Sequence, residues 1–145
     1  MIAYYCNEAV LQLPDVYRLV DLSRQQLEVI TEAGVELQFV IERAPLSKGS
    51  TLAAAVLESI SERKRSVRGF ELLSTTEREY PALMGTETRL HFVDKERGPL
   101  FHHEFRTVME GTLLTYMGAS RLVHAAACDA WMQGALHSLK GRVTR

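Results

Sequence analysis

The chain has 145 residues, of which 46% are hydrophobic and 24% charged, and a formal net charge of −1. That length holds one ordinary domain with a sizeable core, and the composition excludes a disordered chain. With 17 Lys and Arg against 18 Asp and Glu mixed along the sequence, no basic face for a phosphate backbone is implied, so nucleic acid is set aside as a partner.

The first residues, Met1-Ile2-Ala3-Tyr4-Tyr5-Cys6, offer no basic n-region and no long apolar stretch, so no secretory signal is expected. Cys6 stands too near the start to be a lipoprotein's lipidation site. Tyr4–Cys6 and Ala9–Leu13 read as short strands around Asn7-Glu8, with Pro14-Asp15 as the stop. Leu22–Thr31 and Val35–Arg43 read as a hairpin whose three-residue loop, Glu32-Ala33-Gly34, puts Gly34 in the left-handed position. After the loop from Pro45 to Gly49, Ser50 or Thr51 caps a helix reaching about Ser66, with Leu52, Val56 and Ile60 on one stripe. Its end, Glu62-Arg63-Lys64-Arg65, reads as a solvated C-terminus whose cations complement the helix dipole.

Four consecutive strands follow: Phe70–Glu77, Thr86–Lys95, Leu100–Met109 and Thr112–Gly118. A helix over Arg121–Leu139 closes the chain, with Cys128, Trp131, Met132, Ala135 and Leu139 on a core stripe and Asp129 capping or pairing locally. The longest near-apolar run, Leu122 to Cys128, is broken by His124 and is too short to span a bilayer. No repeat or linker divides the sequence, so a single domain over residues 1–145 is expected. Cys6 and Cys128 can form a disulfide, although reduced thiols in a cytoplasmic protein are the expectation. The element order makes the fold class α+β, a mainly antiparallel twisted sheet with two helices packed on one face.

Register follows from asking which pairing makes sense of both faces. In the first hairpin Val29 faces Leu37, Leu27 faces Phe39 and Gln25 faces Ile41, while Glu28 meets Gln38, Gln26 meets Val40 and Arg24 meets Glu42. For the hairpin through Arg97, pairing Lys95 with Gly98 sets Phe92 against Phe101, Leu90 against His103, Arg89 against Glu104, Glu87 against Arg106 and His91 against His102. Pairing Met109 with Thr112 continues the pattern. One face is then aliphatic and aromatic. The other mixes Gln26, Glu28, Gln38, Val40, His91, His102, Glu104, Val108, Leu113 and Met117, a composition suited either to water or to a partner.

The chemistry-bearing motifs are absent: no GxxxxGK[ST], GxGxxG, GxSxG or HExxH occurs. No catalytic residue and no cofactor is therefore expected. One constellation remains as an alternative, a small-molecule or metal-binding site built from His91, His102 and Glu104, which share a face in this register.

Several strings do resemble a known family. Tyr5-Cys6-Asn7-Glu8-Ala9, Leu13-Pro14-Asp15, Asp21-Leu22-Ser23, Val40-Ile41-Glu42-Arg43, Arg68-Gly69-Phe70-Glu71-Leu72 and Gly98-Pro99-Leu100-Phe101-His102-His103-Glu104-Phe105 look like the DcrB-related family, over residues 3 to 139. The resemblance implies a PsbP-like fold. Members without a lipoprotein signal are similar to the Eag-type chaperones of type VI secretion, which are homodimers in the cytoplasm. Such chaperones shield the N-terminal transmembrane helices of effectors that carry a PAAR domain and do not themselves insert in the membrane. On that footing the partner-binding residues are Arg24, Gln26, Gln38, Val40, His102, Glu104 and Met117. Arg24-Gln25-Gln26 stands where the family leads one to expect alternating apolar residues, which makes such a groove more polar.

Overall fold

The structure is a computed structural model that describes residues 2–5, 9–13, 16–21 and 24–141. Strands β1 (Ile2–Tyr5), β2 (Ala9–Leu13), β3 (Val16–Asp21), β4 (Gln25–Ile30) and β5 (Glu36–Pro45) precede helix α1 (Leu52–Ser66). Strands β6 (Arg68–Glu79), β7 (Met84–Asp94), β8 (Gly98–Met109) and β9 (Thr112–Arg121) follow. A 3-10 turn over Leu122–His124 then leads into helix α2 (Ala125–His137) and the short β10 (Lys140–Gly141). Among the described residues, seven strands form one sheet in the order β3-β4-β5-β9-β8-β7-β6, and β1, β2 and β10 form a second, small one. Every pairing is antiparallel.

Local chemistry accounts for the elements. Gly34, at φ +80°, closes the β4–β5 turn while Val35 N–H donates to Thr31 Oγ1 at 3.1 Å. Its register agrees with the sequence reading pair for pair, and Arg24 reaches Glu42 at 2.9 Å. Thr51 caps α1, its hydroxyl accepting from Ala54 N–H at 3.1 Å, and Arg63, Lys64 and Arg65 fill the last turn. β3 escaped the sequence reading because Val16-Tyr17-Arg18-Leu19-Val20-Asp21 lacks period-two alternation, and its pairing with β4 contains two register shifts. The expected strand contributions of Cys6, Leu22 and Ser23 lie outside the described residues.

The β7–β8 register differs from expectation by one residue. Asp94 pairs with Gly98, which makes the turn Lys95-Glu96-Arg97 three residues long instead of two. The Asp94 carboxylate accepts from the N–H groups of Glu96 at 2.8 Å and Arg97 at 3.0 Å, and Gly98 takes φ +76°. A three-residue turn closed by a left-handed glycine is a stable solution that the apparent Arg89–Glu104 and Glu87–Arg106 charge pairs concealed. Consequently Phe92 faces Leu100, His91 faces Phe101, Leu90 faces His102, Arg89 faces His103 and Thr88 faces Glu104.

That single slip moves all of β7 to the opposite side, and with it the expected place of one helix. Leu90 and Phe92 now lie beside His102 and Glu104, so this face too carries buried side chains and needs a cover. α1 supplies it over β6, β7 and β8, while α2 packs on the other face against β8 and β9. The α+β class and the antiparallel sheet with two packed helices hold; the two helices cover opposite faces.

Beneath α2 lies the aromatic and aliphatic core. Phe39, Phe101, Phe105, Leu114 and Tyr116 are fully buried with Met132 and Leu136 above them. The Trp131 ring meets Phe39 edge-on at 5.0 Å, which places Trp131 in the core as its helical spacing predicts. A Cβ at Gly118 would come within 2.5 Å of Met132 Cγ, so only glycine lets α2 approach this closely.

Candidate partner-binding groove

On the α1 face the side chains of neighbouring strands align in rows that cross the sheet. One row runs Gln26, Val40, Met117, Glu104, Thr88. The next runs Glu28, Gln38, Ala119, His102, Leu90. A third runs from Arg24 and Glu42 through Thr115 and Arg106 to Thr86. α1 covers the β7 and β8 ends of these rows and leaves their β4, β5 and β9 ends without a helix.

An open groove of about 720 Å³ occupies that uncovered half, with Gln38, Val40, Leu100, Met117 and Ala119 in its wall and Arg24, Glu28 and His102 bordering it. A second recess of about 530 Å³ lies alongside, toward α1, and Arg24 lines both. Five of the seven residues expected to bind a partner, Arg24, Gln38, Val40, His102 and Met117, therefore line one groove. Gln26 shares the face without lining the groove, and Arg24 Nη2 approaches its side-chain oxygen at 3.5 Å.

Glu104 behaves differently from a groove residue. It is 1% exposed, under α1, where Arg106 Nη1 donates to it at 2.7 Å and Arg63 Nη2 at 3.2 Å. Arg63 Nη1 also lies 2.9 Å from His102 Nδ1, which must accept because a guanidinium can only donate. Arg106 Nη2 completes its set on Ser59 Oγ at 2.9 Å. Burial alone would raise the Glu104 carboxyl; the charges of Arg106 and Arg63 oppose it, and the pKa is held at about 2. Glu104 thus anchors α1 to the sheet and frames the groove from below. Arg63, which the sequence reading assigned to a solvated helix end, had a signal: it stands seven residues after the buried Val56, on the same stripe.

The α2 face carries a second buried ionic knot. His103 is fully buried, with Nδ1 2.7 Å from Asp129 Oδ1 and Nε2 3.2 Å from Glu87 Oε2, the latter off the line of a good hydrogen bond. Arg89 holds Asp129 through both carboxylate oxygens, and the Tyr80 hydroxyl donates to Glu87. Burial opposes the ionised Glu87, yet His103, Tyr80 and Arg78 bring its pKa down to about 2. The Tyr80 hydroxyl is pushed up, first by burial and then by Glu87. Asp129 therefore pairs across to the sheet instead of capping its own helix, while His137 stacks edge-on against Tyr80 at 5.2 Å. An acid set among the apolar residues of α2 was the available signal.

The alternative site does not assemble. His91 lies on the α2 face, 3.0 Å from Glu71, whereas His102 and Glu104 lie on the α1 face. Among the described residues no three His, Cys, Asp or Glu side chains are grouped as metal ligands. Cys128 is buried against Gly118 and its thiol is pushed up to about 12 by burial, which disfavours the thiolate a nucleophile requires. Cys6 lies outside the described residues. No helix among them is long and apolar enough to cross a membrane.

No family model matches the sequence, and no curated protein matches it. Solved structures do. A Pseudomonas aeruginosa protein of unknown function, PA94, described as a candidate regulator, superposes with a TM-score of 0.74 at 18% identity over 99% of both chains. LpqN of Mycobacterium tuberculosis, involved in cell envelope biogenesis, gives 0.69 at 10% identity, covering 93% of this chain and 83% of its own. The cyanobacterial PsbP of Synechocystis sp. PCC 6803 gives 0.69 at 11% identity, covering 97% and 92%. At these identities the likeness is one of architecture: the chain has the PsbP-like fold.

Proposed function

We propose that this protein is a chaperone or adaptor without enzymatic activity. In this reading it works in the cytoplasm as a homodimer and shields the N-terminal transmembrane region of a PAAR-containing type VI secretion effector. The observation that carries the reading is the uncovered half of the α1 face. An α-helix is about 10–12 Å across, and here a groove of about 720 Å³ lies beside a helix that stops short of covering it. Its floor is apolar, with Val40 almost fully buried and Met117 and Ala119 next to it, while Gln38, Arg24 and His102 supply polar groups at the edge.

That mixture suits a helix taken from a membrane. Apolar side chains replace lipid against Met117, Ala119 and Leu100, and an amide such as Gln38 meets the occasional hydroxyl or backbone carbonyl. An unmatched polar group in such a contact costs about 1–3 kcal/mol. The sequence resemblance to the DcrB-related family supports the same assignment.

The test is co-expression with a tagged N-terminal fragment of such an effector. Wild-type protein should co-purify with the fragment, and Gln38→Arg and Met117→Arg should lose it while keeping the wild-type melting temperature. Light scattering should give the mass of a dimer. Full retention of the fragment by both folded variants would overturn the groove assignment.

A further inference from the structure

The recess alongside the groove has a chemistry of its own. Arg24 and Arg106 stand in its wall with the hydroxyl-bearing Ser59 and Thr115, and among the described residues the one acid there is Glu42. Arg24 is answered by Glu42 at 2.9 Å. Arg106 is not answered one for one. It shares the buried Glu104 with Arg63, so two guanidiniums meet a single carboxylate and that cluster keeps a positive charge. Arg106 is only 8% exposed, so little water screens its charge. By contrast, the wall of the neighbouring groove offsets its arginines with Glu28, Glu36 and Glu96.

We infer that this recess receives an acidic side chain, Asp or Glu, flanking the apolar segment held in the groove. The inference rests on the groove being the partner site, and the shared Arg24 makes the two depressions one continuous surface. A carboxylate in the recess lies beside Arg24 and Arg106, and its charge balances the surplus of the Arg63–Glu104–Arg106 cluster. Guanidinium–carboxylate contacts fix position as well as adding attraction. The recess therefore sets how far along the groove a partner helix slides, and it selects partners with an acid at one end of the apolar stretch.

The experiment uses three fluorescent helix-forming peptides of leucine, alanine and glutamine that differ only at their carboxy-terminal pair: Glu-Glu, Gln-Gln or Lys-Lys. Fluorescence anisotropy with the full chain should give about tenfold tighter binding for the Glu-Glu peptide than for the Gln-Gln one, and weaker binding still for Lys-Lys. Added salt should shrink that preference. The variant Ala55→Glu puts a carboxylate at a position of α1 that lines the recess and not the groove, and glutamate is a good helix former, so it keeps the fold. It should bind the Gln-Gln peptide as the wild type does and lose most of the preference for Glu-Glu. Equal affinity for the three peptides, or a preference that survives Ala55→Glu, overturns the acid-receiving recess and leaves the groove standing. No binding of any peptide overturns both.

Discussion

Consecutive residues of β5 meet different surroundings on the two faces of the sheet. Leu37 and Phe39 point under α2 into a dry aromatic core, while Gln38 and Val40 point into a face that α1 covers only in part. Both faces hold a buried ionic knot, His103 with Asp129 and Glu87 on one side, Glu104 with Arg106 and Arg63 on the other. Each knot ties one helix to the sheet. What separates the faces is coverage: burial is complete where α2 lies, and on the other side it gives way to an open groove at β4, β5 and β9. Polar side chains on this protein therefore report two distinct duties, fastening a helix and lining a surface.

The sharpest way to break that comparison is a charge placed on each side of one strand. Leu37→Arg should unfold the protein, costing on the order of 4 kcal/mol or more, because an unpaired guanidinium is forced under α2. Gln38→Arg, one residue along, should change stability by no more than about 0.5 kcal/mol. Thermal melts of the two variants decide it; similar losses would mean the faces are not as different as described.

Next in size is the α2 knot. Asp129→Ala strands Arg89 and His103 without their carboxylate and should cost about 3 kcal/mol in urea unfolding, since removing one member of a buried ion pair leaves the rest uncompensated.

Acid should weaken both knots together. The Glu104 and Glu87 carboxyls are held at about 2 when folded and titrate near 4.5 in an unfolded chain. Their folded-state values are depressed, so their contribution is complete above about pH 4.5 and disappears as the pH falls toward 2. Stability should drop over that window, and Glu104→Gln or Glu87→Gln should each flatten part of the drop. A profile unchanged by either variant would remove these carboxylates as its cause. Thr51→Ala should cost less than the loss of Asp129, about 1 kcal/mol, by fraying the start of the one helix on the open face.

Much of this arrangement was legible in the residues. Gly34 fixed the first hairpin, and with it the rows that place Gln38 and Val40 on the groove side. Thr51 and the stripe through Val56 fixed α1. The β7 register was not legible, because two competing signals gave different turns. Charge pairing of Arg89 with Glu104 favoured a two-residue turn, whereas the Asp94 side chain closing on the Glu96 and Arg97 amides selects three. Each surface charge pair offers at most about 1 kcal/mol, and Arg89 and Glu104 each found a partner on a helix. Arg89 went to Asp129, and Glu104 went to Arg63. Tertiary partners of that kind lie far apart in sequence, so pairing logic within one hairpin cannot see them.

The place where β5 meets β9 has a consequence for how the protein assembles. Residues 38–45 lie beside residues 112–119, and α1 with strands β6, β7 and β8 separates them along the chain. Hairpins on either side close short loops and form quickly, but this seam closes a long one and carries the larger entropic cost. The two halves of the sheet should therefore be joined last. The groove straddles that seam, with Gln38 and Val40 on one bank and Met117 and Ala119 on the other. A segment lying in it touches both halves and acts as a splint across the final joint, so occupancy should slow unfolding of the sheet by holding closed the contact that forms latest.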